Sequence, residues 1–202
     1  TLPNEVEDES TNPVGSVHVV GAGELFGWQR DAPDKFRAVG FKGLLKAPPG
    51  AGKPRAAIAI IRSLPENTRV DVIVPTLKLK EQWDEVLRAY GVKARVWTTI
   101  SAVKAAREGT FTGSDLLVLD EAHATSSPVF SEVYNIPHKF ILGMTATPDS
   151  NCQDRLGAPF VRVSWKEAKL APLSIDFVLL PLSEREKAKY ETLTQELRRT
   201  FR

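Results

Sequence analysis

From Gly43 to Pro148 the chain alternates between short apolar runs and longer amphipathic ones. GLLKAP is followed by RAAIAIIRSL, DVIVPT by LKLKEQWDEVLRAYG and KARVWTT by SAVKAARE; DLLVLDEAH then leads on to KFILGMTATP. The first member of each pair is short and apolar, as buried strands are, and the second carries apolar residues at helical spacing. Strands separated by helices pair in parallel through crossovers, so this order predicts an α/β fold with a mainly parallel central sheet. Near-continuous apolar stretches such as LLVL and FILG predict burial on both faces, with a helix layer on either side.

Outside this frame the signals are weaker. Residues 1–24 are acidic, polar and proline-bearing and read as a flexible arm, with SVHVV as a possible edge strand. LFGWQRDAPDKFRAVG reads as a helix with Phe26, Phe36 and Val39 inward and Gly40 as its stop. After Pro148 a polar loop is expected, then strands at FVRVSW and SIDFVLLPL. A charged helix follows, with a capping-box pattern at Ser183 and Glu186 and a thin apolar stripe of Tyr190, Leu193 and Leu197. The expected organisation is an arm over 1–24, a lobe over 25–175, and a strand and helix over 176–202. An apolar fraction of 42% in 202 residues suffices for one α/β core. The 27 Lys and Arg nearly cancel 25 Asp and Glu, so bulk charge neither favours nor excludes a nucleic-acid partner. No apolar run approaches the roughly 20 residues of a membrane span, and no charged-then-apolar leader opens the chain. The single cysteine, Cys152, lies in a polar, loop-like stretch and reads as an inert thiol of a reducing compartment. A cytoplasmic or otherwise intracellular setting, associated with nucleoid or nucleus, is therefore expected.

The polar residues that follow the strands carry the chemistry. Open parallel sheets place ligands at the carboxyl ends of their strands. There the chain supplies Gly50, Ala51, Gly52 and Lys53, then Asp120, Glu121 and His123, then Thr145 and Thr147. Gly50 and Gly52 allow backbone N–H groups to turn inward on phosphates at a helix N-terminus. Lys53 offers a point charge to the β- and γ-phosphates. Asp120 is placed to hold Mg²⁺, and Glu121 to orient an attacking water. GAGK alone reads equally well as a Gly-rich turn, and DEAH alone as an acidic strand end. Together, in this order, they point to phosphoryl transfer to water.

The ordered series WQRDA, APPGAGK, VPTLKLKEQW, TTISA, VLDEAH and LGMTATP resembles the first RecA-like lobe of superfamily 2, DEAH-type, DNA helicases and ATPases. The resemblance is greatest to the branch of XPB-like and phage UvsW-like helicases and restriction-enzyme motors. It extends from about Leu25 through VRVSWKEAKLAPLSIDFVLLPLSEREKAKY, which is similar to the passage from first to second lobe. It implies a RecA-like P-loop three-layer sandwich, an ATP and Mg²⁺ site over residues 50–54, and DNA as partner, RNA being the other nucleic acid it allows. Gln29 matches the adenine-reading glutamine, though a solvated helix Gln is the plainer role. Pro75 and Thr76 match a motif lying on the nucleic-acid backbone, and Thr98 and Thr99 a weaker second one; Thr76 reads equally as a helix N-cap. His123, Thr145 and Thr147 match residues coupling the ATP site to strand movement. Trp28, Trp83 and Trp97 read as packing residues rather than base-stacking ones.

Two departures matter. Where the family has Ser or Thr, Pro54 brings neither a hydroxyl for Mg²⁺ nor an N–H for phosphate, while suiting the first turn of a helix. One lost hydrogen bond to a charged group, roughly 1.5–3 kcal/mol, would weaken nucleotide binding about tenfold to several hundredfold. In addition, the residues after Ser183 do not build the second RecA-like lobe, whose arginine finger supplies roughly 10³–10⁵ in rate. The leading expectation is the ATP-binding lobe of a nucleic-acid-dependent ATPase or helicase, completed by a second lobe on the same or another chain. The alternatives are a non-catalytic remnant that binds nucleotide or DNA, and a P-loop protein outside the helicases.

Overall fold

The computed structural model describes residues 24–127 and 130–168, and beyond them residues 183, 187, 189–191, 193 and 194. Within the first of two compact units, Thr1–Leu170, six strands form one sheet. They are β1 (Lys42–Lys46), β2 (Val70–Val74), β3 (Arg95–Thr98), β4 (Ser114–Asp120), β5 (His138–Thr145) and β6 (Pro159–Arg162). Their order is β3-β2-β4-β5-β1-β6, and every pairing is parallel. This is the α/β architecture with a parallel sheet that the strand–helix alternation predicts, and it agrees with the RecA-like fold that the resemblance implies.

Successive side chains of a strand face opposite sides of a sheet, and here both sides are apolar. Leu45, Val72, Val74, Val118 and Met144 enter one core with Phe36, Ile58, Ile60 and Trp83. Leu44, Ile73, Leu117, Leu119 and Ile141 enter a second with Val103, Val133, Cys152 and Leu156. The first core is closed by α1 (Gly27–Ala38), α2 (Lys53–Arg62) and α3 (Leu77–Ala89). The second is closed by α4 (Thr99–Arg107), the 3-10 turn Phe130–Asn135 and α5 (Ser150–Leu156). Three layers follow, because two-sided apolar strands must be covered on both faces.

Some local expectations change. Val39 does not point inward: α1 ends at Ala38, and Val39 is 43% exposed. The expected loop after Pro148 contains α5, because the Asp149 side chain accepts from the Cys152 N–H and caps the helix. Cys152 therefore lies buried on a helix, not in a polar loop; burial pushes its thiol up to about 11, which keeps it unreactive. β4 stops at Asp120 rather than running through DEAH, since Glu121 turns into the left-handed region (φ 49°) and a 3-10 turn, Ala122–Ser126, begins. Residues 1–23 of the expected arm, with the SVHVV strand, the SIDFVLLPL strand, Glu186 and Leu197, lie outside the described residues. In the second unit, Ala171–Arg202, the described residues from 187 to 194 are helical, with Tyr190 and Leu193 exposed.

Candidate functional site

The site is made by register. β4, β5 and β1 are consecutive in the sheet, with Asp120 paired to Met144 and Lys46 paired to Thr145. Three strands thus end at one level, and the residues that follow each end meet.

After β1 the chain turns through Gly50 (φ 75°) and Gly52 (φ 87°), a left-handed backbone that glycine adopts without strain. Gly52 is the N-cap of α2, and Lys53 and Pro54 begin the helix. Proline fits this first turn, whose N–H groups have no partner inside the helix. Gly52 has a second reason to lack a side chain: a Cβ there would stand 2.6 Å from the amide nitrogen of Gln29. Gln29, fully buried at the third position of α1, accepts from the Phe26 N–H at 3.0 Å through Oε1. Its Nε2 donates to the carbonyls of Ala51 (3.4 Å) and Gly52 (3.1 Å). The amide of Gln29 is thus taken up by protein backbone and fixes the loop from behind.

Lys53 is 5% exposed, with Nζ 3.5 Å from the Ala47 carbonyl and 3.5 Å from Glu121 Oε1. The other oxygen of Glu121 lies 3.5 Å from His123 Nδ1. His123 Nδ1 is 2.7 Å from Thr145 Oγ1, which also accepts from the Thr147 N–H at 3.2 Å. Thr145 is fully buried, and its carbonyl accepts from the Ala47 N–H. Lys53, Glu121, His123, Thr145 and Thr147 therefore form one polar chain across three strand ends. Asp120 stands beside it. Its Oδ1 accepts from the Glu121 N–H at 3.0 Å and its Oδ2 from the indole N–H of Trp83 at 2.8 Å. Burial raises the Asp120 carboxyl above the ordinary range, an effect opposed chiefly by the Trp83 hydrogen bond.

The residues fit a magnesium-assisted phosphate site. Mg²⁺ binds through one or two carboxylates together with substrate phosphates and retained waters. A buried carboxylate next to a glycine loop and a lysine supplies that setting, although Pro54 adds no side-chain oxygen.

The expected nucleic-acid residues lie at the same carboxyl end of the sheet, after β2 and β3, one and two strands beyond β4. Thr76 is exposed and caps α3 by accepting from the Leu79 N–H. Thr98 caps α4 by accepting from the Ser101 N–H, and Thr99 donates to the Val74 carbonyl, tying the start of α4 to the end of β2. Pro75 is half-buried beside them. Leu77 and Ile100, in the first turns of these helices, are 70% and 67% exposed. Trp83 does more than the packing that its helix position predicts, since its indole N–H binds Asp120. The signal available was its indole N–H, which needs a partner once the ring is buried.

The family profile described as type III restriction enzyme, res subunit (ResIII), matches residues 24–111 and 93–150. A putative DNA 3'-5' helicase Rad25 of Haloarcula marismortui is 27% identical over 207 residues, covering 85% of this chain and 32% of that protein. The DNA 3'-5' translocase XPB2 of Sulfurisphaera tokodaii is 26% identical over 182 residues, covering 78% and 40%. The chain thus spans between 32% and 40% of the length of these relatives. Among solved structures, the Sulfolobus solfataricus SWI2/SNF2 ATPase core in complex with dsDNA superposes with a TM-score of 0.54 at 21% identity, covering 66% of this chain and 34% of that one. The ATP-dependent type ISP restriction-modification enzyme LlaBIII bound to DNA gives 0.60 at 17%, covering 72% and 15%. These likenesses are of fold. The profile match spans more than half of the chain, which belongs to the ResIII family and is a first RecA-like lobe of the superfamily 2 helicases, in the branch of the XPB and restriction motors.

Proposed function

We propose that this chain is the ATP-binding lobe of a nucleic-acid-dependent ATPase or helicase, taking residues 25–175 as the lobe and 176–202 as the passage to a second one. The observation that carries this reading is the meeting of Lys53, Asp120–Glu121 and Thr145 at three adjacent strand ends around a glycine loop. The N–H groups of the loop and the start of α2 receive the phosphates. Lys53 exchanges Glu121 for the β- and γ-phosphate oxygens, which frees Glu121 to orient water for in-line attack. Asp120 holds Mg²⁺, which when bound neutralises the phosphate charge. Glu121, His123, Thr145 and Thr147 then form the path by which a change at the γ-phosphate reaches the strand ends. An adenine reaches Gln29 only if its amide exchanges a loop carbonyl for the base. Pro75, Thr76 and Thr98 present the sheet edge to a nucleic-acid backbone, DNA by kinship with the Rad25 and XPB2 relatives. Hydrolysis at a useful rate requires a second lobe on the same or another polypeptide to close the cleft.

Equilibrium titration with a fluorescent ATP analogue, with and without Mg²⁺, tests this reading. Binding in the high-micromolar to millimolar range is expected. Pro54→Thr should tighten it about tenfold or more, and Lys53→Ala should abolish it. A wild type that binds no nucleotide at millimolar concentration overturns the reading. Pro54 itself favours a second possibility, a lobe that binds without hydrolysing. With a second lobe supplied, turnover by the wild type excludes that possibility, and turnover by Pro54→Thr alone establishes it.

A further inference from the structure

The mechanism above gives Trp83 no task, yet this side chain reaches the most buried acid of the site. Trp83 lies on α3 and is 1% exposed, with its ring in the same core as Ile58, Ile60 and Val118. Its indole N–H donates at 2.8 Å to Asp120 Oδ2, across 37 residues of sequence. The other carboxylate oxygen is held by the Glu121 N–H at 3.0 Å, a bond to the next residue that travels with Asp120 itself. Position 54, the first past Lys53, is a proline in the opening turn of α2 and has neither an N–H nor a hydroxyl to direct at the carboxylate. Among the described residues, Trp83 is the side chain that hydrogen-bonds to Asp120.

We propose that Trp83 is a positioning residue for Asp120. Its indole N–H sets the carboxylate in the one orientation that leaves oxygen lone pairs available to a Mg²⁺–nucleotide complex. The proposal rests on the reading of Asp120 as the Mg²⁺-holding acid. A buried ring with two rotatable bonds and its body locked in a core is a rigid donor, so the orientation carries little entropic cost. A carboxylate oxygen accepting one N–H keeps a further lone pair, so the bond orients the group without using it up. Removing the donor leaves a buried carboxylate half-satisfied and free to rotate. The loss should fall on the magnesium-dependent part of nucleotide binding and spare the part made by the loop and Lys53.

The test compares wild type, Trp83→Phe and the double variant Trp83→Phe/Pro54→Thr for binding of fluorescent ADP, in Mg²⁺ and in EDTA. Trp83→Phe is expected to cut the magnesium-dependent tightening roughly ten- to a hundredfold, with affinity in EDTA unchanged. Pro54→Thr, by supplying a hydroxyl, should restore part of it. A magnesium-dependent tightening retained in Trp83→Phe overturns the proposal alone. A wild type with no such tightening overturns the magnesium reading of Asp120 as well. Should Trp83→Phe not fold, the indole N–H resonances of the wild type decide, with that of Trp83 assigned by elimination using Trp28→Phe, Trp97→Phe and Trp165→Phe. Its resonance should shift on adding Mg²⁺–ADP and far less on adding ADP in EDTA; an equal shift in both, or none, overturns the proposal.

Discussion

Glu121 is one of two described non-glycine residues with a positive φ, at φ 49° and ψ 52°. For an L-residue the left-handed region costs roughly 1–2 kcal/mol, and such strain gathers where geometry serves function. Here it turns the side chain back from the end of β4 towards Lys53 and His123. Glu121→Gly and Glu121→Ala both remove those contacts, but glycine alone relieves the backbone. In thermal or urea unfolding, the glycine variant should be the more stable of the two by about 1 kcal/mol. Equal stability would show that the bend is not strained. That Lys53, Asp120, Glu121, His123 and Thr145 follow strand ends was legible in the sequence, because motif order and apolar runs report it. The engagement of Gln29 with the loop carbonyls was not, since a helix position does not reveal which backbone it will face.

Charged residues brace the edge of the sheet opposite the site. Asp115, at the start of β4, accepts from the Arg69 N–H ahead of β2 and pairs with Lys139 of β5 at 2.9 Å. The backbone hydrogen bond from Arg69 and then the Lys139 ammonium hold its carboxyl down to about 2. A folded-state value below the unfolded one, about 3.9, means that the stabilisation is present above that value and is lost as pH falls towards 2. Between pH 5 and pH 2.5 the melting temperature of Asp115→Asn should therefore fall less than that of wild type. An identical decline would remove Asp115 from the acid response. Nearby, Asp71 is fully buried in β2 and holds Arg95 of β3 through two bonds, at 2.8 and 2.7 Å. Trp97 donates to the same carboxylate at 2.8 Å. An aspartate at the head of DVIVPT is an odd member of a buried strand, and sequence pattern alone offers it no partner. The partners come from the parallel pairing of β2 with β3, which sets Asp71 opposite Arg95.

Across the whole lobe, β4 is the central element: β2 and β5 flank it, and Leu116 to Leu119 are fully buried. β3 and β6 are the edges of the sheet. Amide hydrogen exchange should therefore be slowest over Leu116–Leu119, opening only with global unfolding, and orders of magnitude faster over Arg95–Thr98 and Pro159–Arg162. Comparable protection at edge and centre would contradict a single cooperative sheet. Both cores share this strand, which also delivers Asp120, so the acid of the candidate site is seated on the strand buried on both faces.

By itself the sequence determined the alternation of strands and helices, the parallel sheet that alternation requires, and the polar residues that follow each strand. These are local properties, written in hydrophobic period, glycine positions and motif order. Tertiary structure alone decided which strand ends lie side by side. The order β4-β5-β1 and its register bring Glu121 to Lys53 and His123 to Thr145, and the packing of α3 brings the Trp83 indole to Asp120. Those contacts join residues 22 to 68 positions apart, and only the geometry of the assembled sheet sets such distances.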